Sequence, residues 1–111
     1  MAKEIDGINQ IDAAELKQLI DEKKNVTLID VREPQEYEAG HIPGIPLIPM
    51  HQIPANLDKL DKDTEYVFVC RSGNRSQQVA HFLKAKGFDK VSNFYGGMLS
   101  WSYEIKPGMD K

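Results

Sequence analysis

The sequence predicts an α/β protein whose strands form a mostly parallel sheet. Short apolar runs alternate with stretches of helical periodicity, which is the pattern of repeated strand–helix units. Residues 26–31 are almost continuously apolar, as expected for a strand buried on both faces of a sheet. Residues 66–69 combine β-branched and aromatic side chains, which favour strands. With 111 residues, the chain has the length of one domain with a single core.

The first helix is predicted to begin after Asp12 and to stop at Asn25. Asp12 and Glu15 fit a capping box, and Ile11 with Leu16 fits the hydrophobic staple that often accompanies such a box. The strand over residues 26–31 follows this helix.

Prolines mark the next segment. Pro34 stands at a first-turn position, so a short helix is predicted from Pro34 to Gly40. Residues 40–54 contain several prolines and should be mostly extended, with one short strand near residues 47–48. A short helix is expected over residues 52–60.

The second half of the chain is predicted to contain four further elements. They are a strand over residues 66–69, a helix over residues 76–86, a strand over residues 90–94 and a short helix ending at Trp101. The polar residues 104–111 are expected to form a frayed tail.

Composition excludes several functional classes. A net charge of −3 argues against a nucleic-acid partner. No apolar run is long enough to span a membrane, and the first residues lack the apolar core of a secretory signal, so we expect a cytoplasmic protein. The single cysteine, Cys70, excludes an internal disulfide and a multi-cysteine zinc site. Neither a metal nor another cofactor is expected, since His51 and His81 have no ligand-like spacing.

The chemistry-bearing candidate is the loop of residues 70–76, Cys-Arg-Ser-Gly-Asn-Arg-Ser. It joins the carboxyl end of a predicted strand to the start of a predicted helix, at the edge where open parallel sheets bind ligands. Gly73 and Asn74 tolerate positive φ, so the loop can curl with its N–H groups pointing inward, and Ser76 is expected to cap the helix. We take Cys70 as the catalytic residue. The candidate substrate-binding residues are Arg71, Ser72, Gly73, Asn74 and Arg75.

These groups should stabilise a thiolate. A free cysteine thiol has a pKa of ~8.5 and is only about 3% ionised at pH 7. Ionising most of it requires about 2.7 kcal/mol of preferential stabilisation, which the N–H groups, the helix terminus, Arg71 and Arg75 can together supply. We therefore expect a solvent-accessible sulfur nucleophile at a cationic mouth that favours anionic substrates. The structural alternative, a small buried Cys70 beside a helix cap, leaves the two flanking arginines unexplained.

Four ordered segments resemble those of single-domain rhodaneses. They are residues 28–33 (Leu-Ile-Asp-Val-Arg-Glu), residues 40–44 (Gly-His-Ile-Pro-Gly), residues 70–76 and residues 96–101 (Gly-Gly-Met-Leu-Ser-Trp). Ile45-Pro46 departs from the family pattern, in which a small residue is usually followed by a non-proline residue. The resemblance implies a three-layer fold with a five-stranded parallel sheet and helices on both faces. It also implies one rhodanese-like domain over residues 1–111, with its core at about residues 8–103.

The resemblance further implies a double-displacement reaction. The Cys70 thiolate would take a sulfane sulfur from a donor, become a persulfide held by the N–H groups of residues 71–75, and pass the sulfur to an acceptor such as a thiol or cyanide. Thiosulfate and low-molecular-weight persulfides both remain open as the small anionic donor, and a protein acceptor is also open.

Three other residues are expected to support the loop: Asp30, Arg32 and Ser76. For Asp30 and Arg32 we favour an ion pair that ties the strand end to residues 40–44 over a contact with substrate. His41 is expected to be structural rather than a general base, since a thiolate stabilised by N–H groups needs no base.

Two other functions are weighed. A cysteine phosphatase or arsenate reductase of the same fold is disfavoured, because phosphatase loops place five residues between cysteine and arginine and only four separate Cys70 from Arg75. A sulfur-relay or binding module that serves one protein partner stays open, because a competent loop suits both roles.

Overall fold

The computed structural model describes residues 3–108 and contains one five-stranded sheet. Its strands are β1 (Lys3–Ile5), β2 (Ile8–Ile11), β3 (Val26–Asp30), β4 (Glu65–Val69) and β5 (Val91–Phe94). Their order across the sheet is β1-β2-β5-β4-β3. Neighbours pair in parallel except β1 and β2, which are antiparallel. The α/β fold is confirmed, with the correction that one edge strand of the sheet is antiparallel.

Helices cover both faces of the sheet. The α-helices are α1 (Ala13–Asp21), α2 (Pro34–Ala39) and α3 (Asn74–Ala85), and shorter 3₁₀ helices span Met50–Gln52, Pro54–Lys59 and Gly97–Ser100. Alternation along β4 sends Phe68 into a core with Val79 of α3, and Val67 into a second core with Leu16 of α1. The sheet is therefore the middle layer of three, as the family resemblance implied.

The start of α1 follows from its local sequence. The Asp12 carboxylate accepts a hydrogen bond from the Glu15 N–H at 2.8 Å, and the Glu15 carboxylate accepts one from the Asp12 N–H at 3.0 Å. The helix ends at Asp21 rather than at Asn25. The physical reason is Lys23, whose φ of 52° turns the chain out of the helix.

The first two strands were not predicted. They form a hairpin around Asp6 and Gly7, whose φ angles are 52° and 79°. Two successive positive φ angles are the requirement of a tight hairpin turn whose twist matches that of its strands. This hairpin explains why β1 runs opposite to the rest of the sheet.

Two segments expected to be irregular are tied to the fold. Leu47 forms an isolated parallel bridge with Asp30, at the edge of β3 that faces away from β4, so the short strand predicted near residues 47–48 is reduced to a single bridge. The expected frayed tail is a wrong prediction for residues 104–108. The backbone of Lys106 exchanges two hydrogen bonds with His41, at 3.1 and 2.8 Å. Residues 109–111 of that tail lie outside the described residues. No helix within residues 3–108 has the length and apolar character needed to cross a membrane.

Candidate active site

Cys70 lies directly after β4, beneath the amino end of α3. Its Sγ accepts a hydrogen bond from the Gly73 N–H at 3.0 Å, and the Ser76 Oγ lies 3.2 Å from the sulfur. The side chain points to the α3 face of the sheet, in the same core as Phe68 and Val79. N–H donors and the positive end of a helix dipole favour negative charge at this sulfur.

The thiol is closed off in this conformation. Cys70 is 0% exposed, so the expectation of a solvent-accessible sulfur is wrong. The reason is the curl of the loop: Gly73, at a φ of 97°, brings the first turn of α3 over the sulfur. The sulfur thus has no surface open to solvent in this conformation.

The remaining loop residues divide between the surface and the interior. Arg71, Ser72 and Asn74 are exposed, whereas Gly73 and Ser76 are buried. The predicted capping role of Ser76 is wrong, because α3 begins at Asn74 with Gly73 as its N-cap residue. Ser76 therefore lies within the first turn, where its hydroxyl faces the sulfur instead of capping the helix. Of the loop amides in the described chain, Gly73 N–H is the one that contacts the sulfur.

The glycine-rich segment of residues 96–101 packs against the backbone of the cysteine loop. A Cβ atom on Gly97 would lie 2.5 Å from the Cys70 carbonyl oxygen, so only glycine allows this approach. The Met98 N–H donates to the Cys70 carbonyl at 2.8 Å, and the Leu99 N–H donates to the Arg71 carbonyl at 3.0 Å. These bonds fix the backbone on which the sulfur is mounted.

The guanidinium of Arg75 is occupied by Glu36 of α2. Its two terminal nitrogens donate to the two Glu36 carboxylate oxygens at 2.7 and 2.9 Å. The hydrogen bond from Arg75 is the main cause that lowers the Glu36 pKa from 4.5 to about 2, and the same bond raises the pKa of Arg75. The mouth of the loop is thus less cationic than expected, with Arg71 exposed and the charge of Arg75 compensated. Sequence reasoning missed Glu36, which no local motif connects to the loop.

Asp30 and Arg32 form a buried ion pair beside the loop. The Arg32 Nη2 lies 2.8 Å from the Asp30 Oδ2, and the two residues are 6% and 0% exposed. Arg32 also donates to the Gly40 carbonyl at 2.9 Å. The pair therefore joins the carboxyl end of β3 to the segment that begins at Gly40.

His41 lies in the same segment as Gly40 and is buried. Its ring stacks on Tyr37 with centroids 3.7 Å apart, and its Nδ1 lies 2.9 Å from the Tyr37 carbonyl oxygen. These contacts are those of a packed structural side chain. Within residues 3–108, no cluster of His, Cys, Asp or Glu side chains is suited to hold a metal ion.

A cavity of about 480 Å³ opens beside the loop at Arg75. Its lining is mainly apolar, with Glu33, His51 and Gln78 as further polar members and with Met50, Ile53, Pro54, Val79 and Phe82 as the apolar ones. Ile53 and Val79 belong to the core that contains Cys70. The cavity therefore lies on the sulfur's side of the sheet.

Fold and site together define a class of protein: α/β domains that mount a single cysteine at the carboxyl edge of a parallel sheet, under a helix amino terminus. A family model described as "Rhodanese-like domain" matches residues 12–104. The chain belongs to this rhodanese-like sulfurtransferase family.

Individual relatives agree with this assignment. The chain is 47% identical over 100 residues to "Putative sulfurtransferase YtwF" of Bacillus subtilis, covering 90% of this chain and 96% of that protein. It is 36% identical to "Putative sulfur carrier protein YrkF" of the same organism, covering 86% of this chain and 52% of that protein. A crystal structure of a rhodanese-like domain protein from Staphylococcus aureus superposes with a TM-score of 0.82 at 40% identity, covering 90% and 98% of the two chains.

Proposed function

We propose that the chain is a thiosulfate sulfurtransferase-type enzyme that carries a sulfane sulfur as a persulfide on Cys70. The donor is a small anion, thiosulfate or a low-molecular-weight persulfide, and the acceptor is a thiol or cyanide. The observation that carries the proposal is the 3.0 Å hydrogen bond from the Gly73 N–H to the Cys70 Sγ, at the amino end of α3. A sulfur in that position is prepared to bear negative charge and attack.

The reaction is a double displacement. The Cys70 thiolate attacks the outer sulfur of the donor, and the sulfur–sulfur bond of the donor breaks. With thiosulfate, the electron pair of that bond leaves with sulfite. The acceptor then attacks the terminal sulfur of the persulfide, and the thiolate returns. As the sole cysteine of the chain, Cys70 requires an acceptor from outside.

The loop residues take distinct roles in this proposal. The N–H groups of residues 71–75, of which that of Gly73 already lies 3.0 Å from the Cys70 Sγ, stabilise the charged outer sulfur. Arg71, which is exposed, attracts the donor. Arg75 meets the donor at the cavity, where about 480 Å³ is available for an organic donor larger than thiosulfate.

Intact-mass measurement tests this function. Reduced protein incubated with thiosulfate is expected to gain the mass of one sulfur atom, and cyanide should remove it as thiocyanate. The matched control is Cys70→Ser, which keeps the size of the side chain and should gain nothing. A wild-type protein that stays unloaded with thiosulfate and with glutathione persulfide would refute the proposal.

A sulfur-relay role is the second candidate, and one observation favours it. Because Cys70 is 0% exposed, a partner that opens the loop would control delivery of the sulfur. The similarity to a protein named as a sulfur carrier points the same way. Slow loading from small donors, beside fast loading from a persulfide on a protein, would identify the relay role.

A further inference from the structure

A buried chain of polar side chains connects the sulfur to β2. The Ser76 Oγ lies 3.2 Å from the Cys70 Sγ and 2.5 Å from the Asn93 Oδ1. Asn93 in turn donates from Nδ2 to the Gly73 carbonyl at 3.1 Å and to the Gln10 Oε1 at 2.9 Å. Cys70 and Ser76 are 0% exposed, and Asn93 and Gln10 are 3% exposed. Water does not reach this chain, so its polar atoms depend on one another for hydrogen bonds.

The hydrogen bonds fix the direction of the Asn93 amide. A carbonyl can only accept, so the amide nitrogen of Asn93 faces Gly73 and the amide oxygen faces Ser76. Gln10 is oriented in the same way, because its nitrogen donates to the Ile8 carbonyl at 3.0 Å. Asn93 Oδ1 carries no proton, so the Ser76 hydroxyl must be the donor between them.

The hydroxyl hydrogen of Ser76 thus has two possible acceptors, the Asn93 Oδ1 and the Cys70 Sγ. A serine hydroxyl has a single hydrogen. When Cys70 is a neutral thiol, its S–H can donate to the Ser76 Oγ while the Ser76 hydroxyl donates to Asn93. A thiolate can only accept, so its bond with Ser76 requires the hydroxyl to rotate away from Asn93 toward the sulfur.

We propose that Asn93 is a positioning residue that controls the Ser76 proton and thereby the ease with which Cys70 ionises. While the sulfur is neutral, the Asn93 Oδ1 accepts the hydrogen bond of the Ser76 hydroxyl. Once the thiol proton has left to water through the opened loop, the charged sulfur is the stronger acceptor and takes the Ser76 hydroxyl. The Asn93 oxygen is then left buried without its donor, and this loss opposes ionisation.

The charged groups around the sulfur come from the cysteine loop, from α3 and α2, and from the end of β3. They are Arg75 with its partner Glu36, the exposed Arg71, and the Asp30–Arg32 ion pair at the end of β3. The pKa of Arg75 is raised mainly by its hydrogen bond with Glu36, and a charge on Cys70 would add to that rise. From β5 and β2 the sulfur is approached through the uncharged amides of Asn93 and Gln10. Replacing Asn93 therefore removes its hydrogen bonds with Ser76, Gly73 and Gln10 without removing a charge.

A double-mutant cycle on Asn93 and Ser76 tests the proposal. Thiolate formation is followed by its ultraviolet absorbance against pH, and by the pH dependence of alkylation by iodoacetamide. Asn93→Leu frees the Ser76 hydroxyl for the sulfur and should raise the ionisation constant of the thiol about threefold. Ser76→Ala should lower that constant. In the Ser76→Ala background, Asn93→Leu should have no effect, because the proton it controls is gone.

The control is Gln77→Leu, at the far end of the same chain, where Gln77 accepts from Gln10 at 2.8 Å. It should leave the titration midpoint of the thiol unchanged. Equal shifts from Asn93→Leu in both backgrounds, or a shift toward weaker ionisation, would overturn the proposal. If circular dichroism shows Asn93→Leu to be unfolded, Asn93→Ala replaces it with the same expected sign. The titration needs no sulfur donor, so its outcome is independent of the proposed sulfur transfer.

Discussion

Glu36→Gln is expected to make the protein less stable and yet better at using thiosulfate. The substitution keeps the shape of the side chain and removes the charge that Arg75 now faces at 2.7 Å. The folded state loses the stabilising ion pair between Arg75 and Glu36. An incoming anion then meets an Arg75 guanidinium whose charge no carboxylate compensates. A purely structural role for the pair would give the first effect without the second.

The stability loss can be worked out from the Glu36 carboxyl. A fall in its pKa from 4.5 to about 2, fully converted, is about 3.4 kcal/mol. Water screens the pair, whose side chains are 31% and 26% exposed, so we expect about 1–2 kcal/mol. Because the pKa is lower in the folded state, this stability is present above pH 4.5 and is lost as the pH falls toward about 2. Urea unfolding should show the difference between the proteins at neutral pH, and the difference should shrink over that acid range.

The effect on the donor follows from Coulomb's law. An anion bound at Arg75 would lie roughly 7 Å from the Glu36 carboxylate. At that distance the carboxylate repels each negative charge of the anion by about 0.6 kcal/mol in water. Thiosulfate carries two charges, so its KM should fall about sevenfold in Glu36→Gln, as measured by thiocyanate formation from cyanide.

The matched control is Glu38→Gln, on the same helix and exposed, which should change neither property. A KM that rises or stays constant while stability falls would show that the donor does not meet Arg75. Unchanged stability would show that the Arg75–Glu36 ion pair does not stabilise the fold.

Three further substitutions have defined outcomes. Arg32→Ala leaves the Asp30 carboxylate buried without its partner and should cost about 3–5 kcal/mol in urea unfolding, with Asp30→Asn in the same background restoring part of it. Gly97→Ala places a Cβ 2.5 Å from the Cys70 carbonyl, so sulfur loading by mass should drop along with the melting temperature; an unchanged protein would mean that the contact relaxes easily. Lys23→Gly relieves a φ of 52° and should stabilise the fold by about 0.5–1 kcal/mol in thermal unfolding, and a lower melting temperature would contradict this.

Elements with a strong local pattern could be predicted from the sequence. The start of α1 was visible because Asp12 and Glu15 satisfy each other within one turn. The hairpin of β1 and β2 was missed because its strands have three and four residues and show little periodicity. A usable signal existed in the dipeptide Asp6-Gly7, which favours a tight hairpin turn.

The site divides in the same way. The cysteine loop is contiguous, so its position between β4 and α3 could be inferred from residues 70–76. The partners of that loop come from distant parts of the chain: Glu36 reaches Arg75 from α2, and Asn93 reaches Ser76 from β5. Pairings of this kind depend on how the layers stack, and spacing along the chain does not encode them. The burial of the sulfur is likewise a property of the folded loop.

The complete burial of Cys70 also bears on the protein's chemistry toward oxidants. Peroxide converts an accessible thiolate to sulfenic acid and then, irreversibly, to sulfinic acid. Two protein molecules can join through a disulfide only if their sulfurs approach to about 2.05 Å, which the closed loop prevents. The closed conformation thus shields the one thiol that the chain possesses from both reactions.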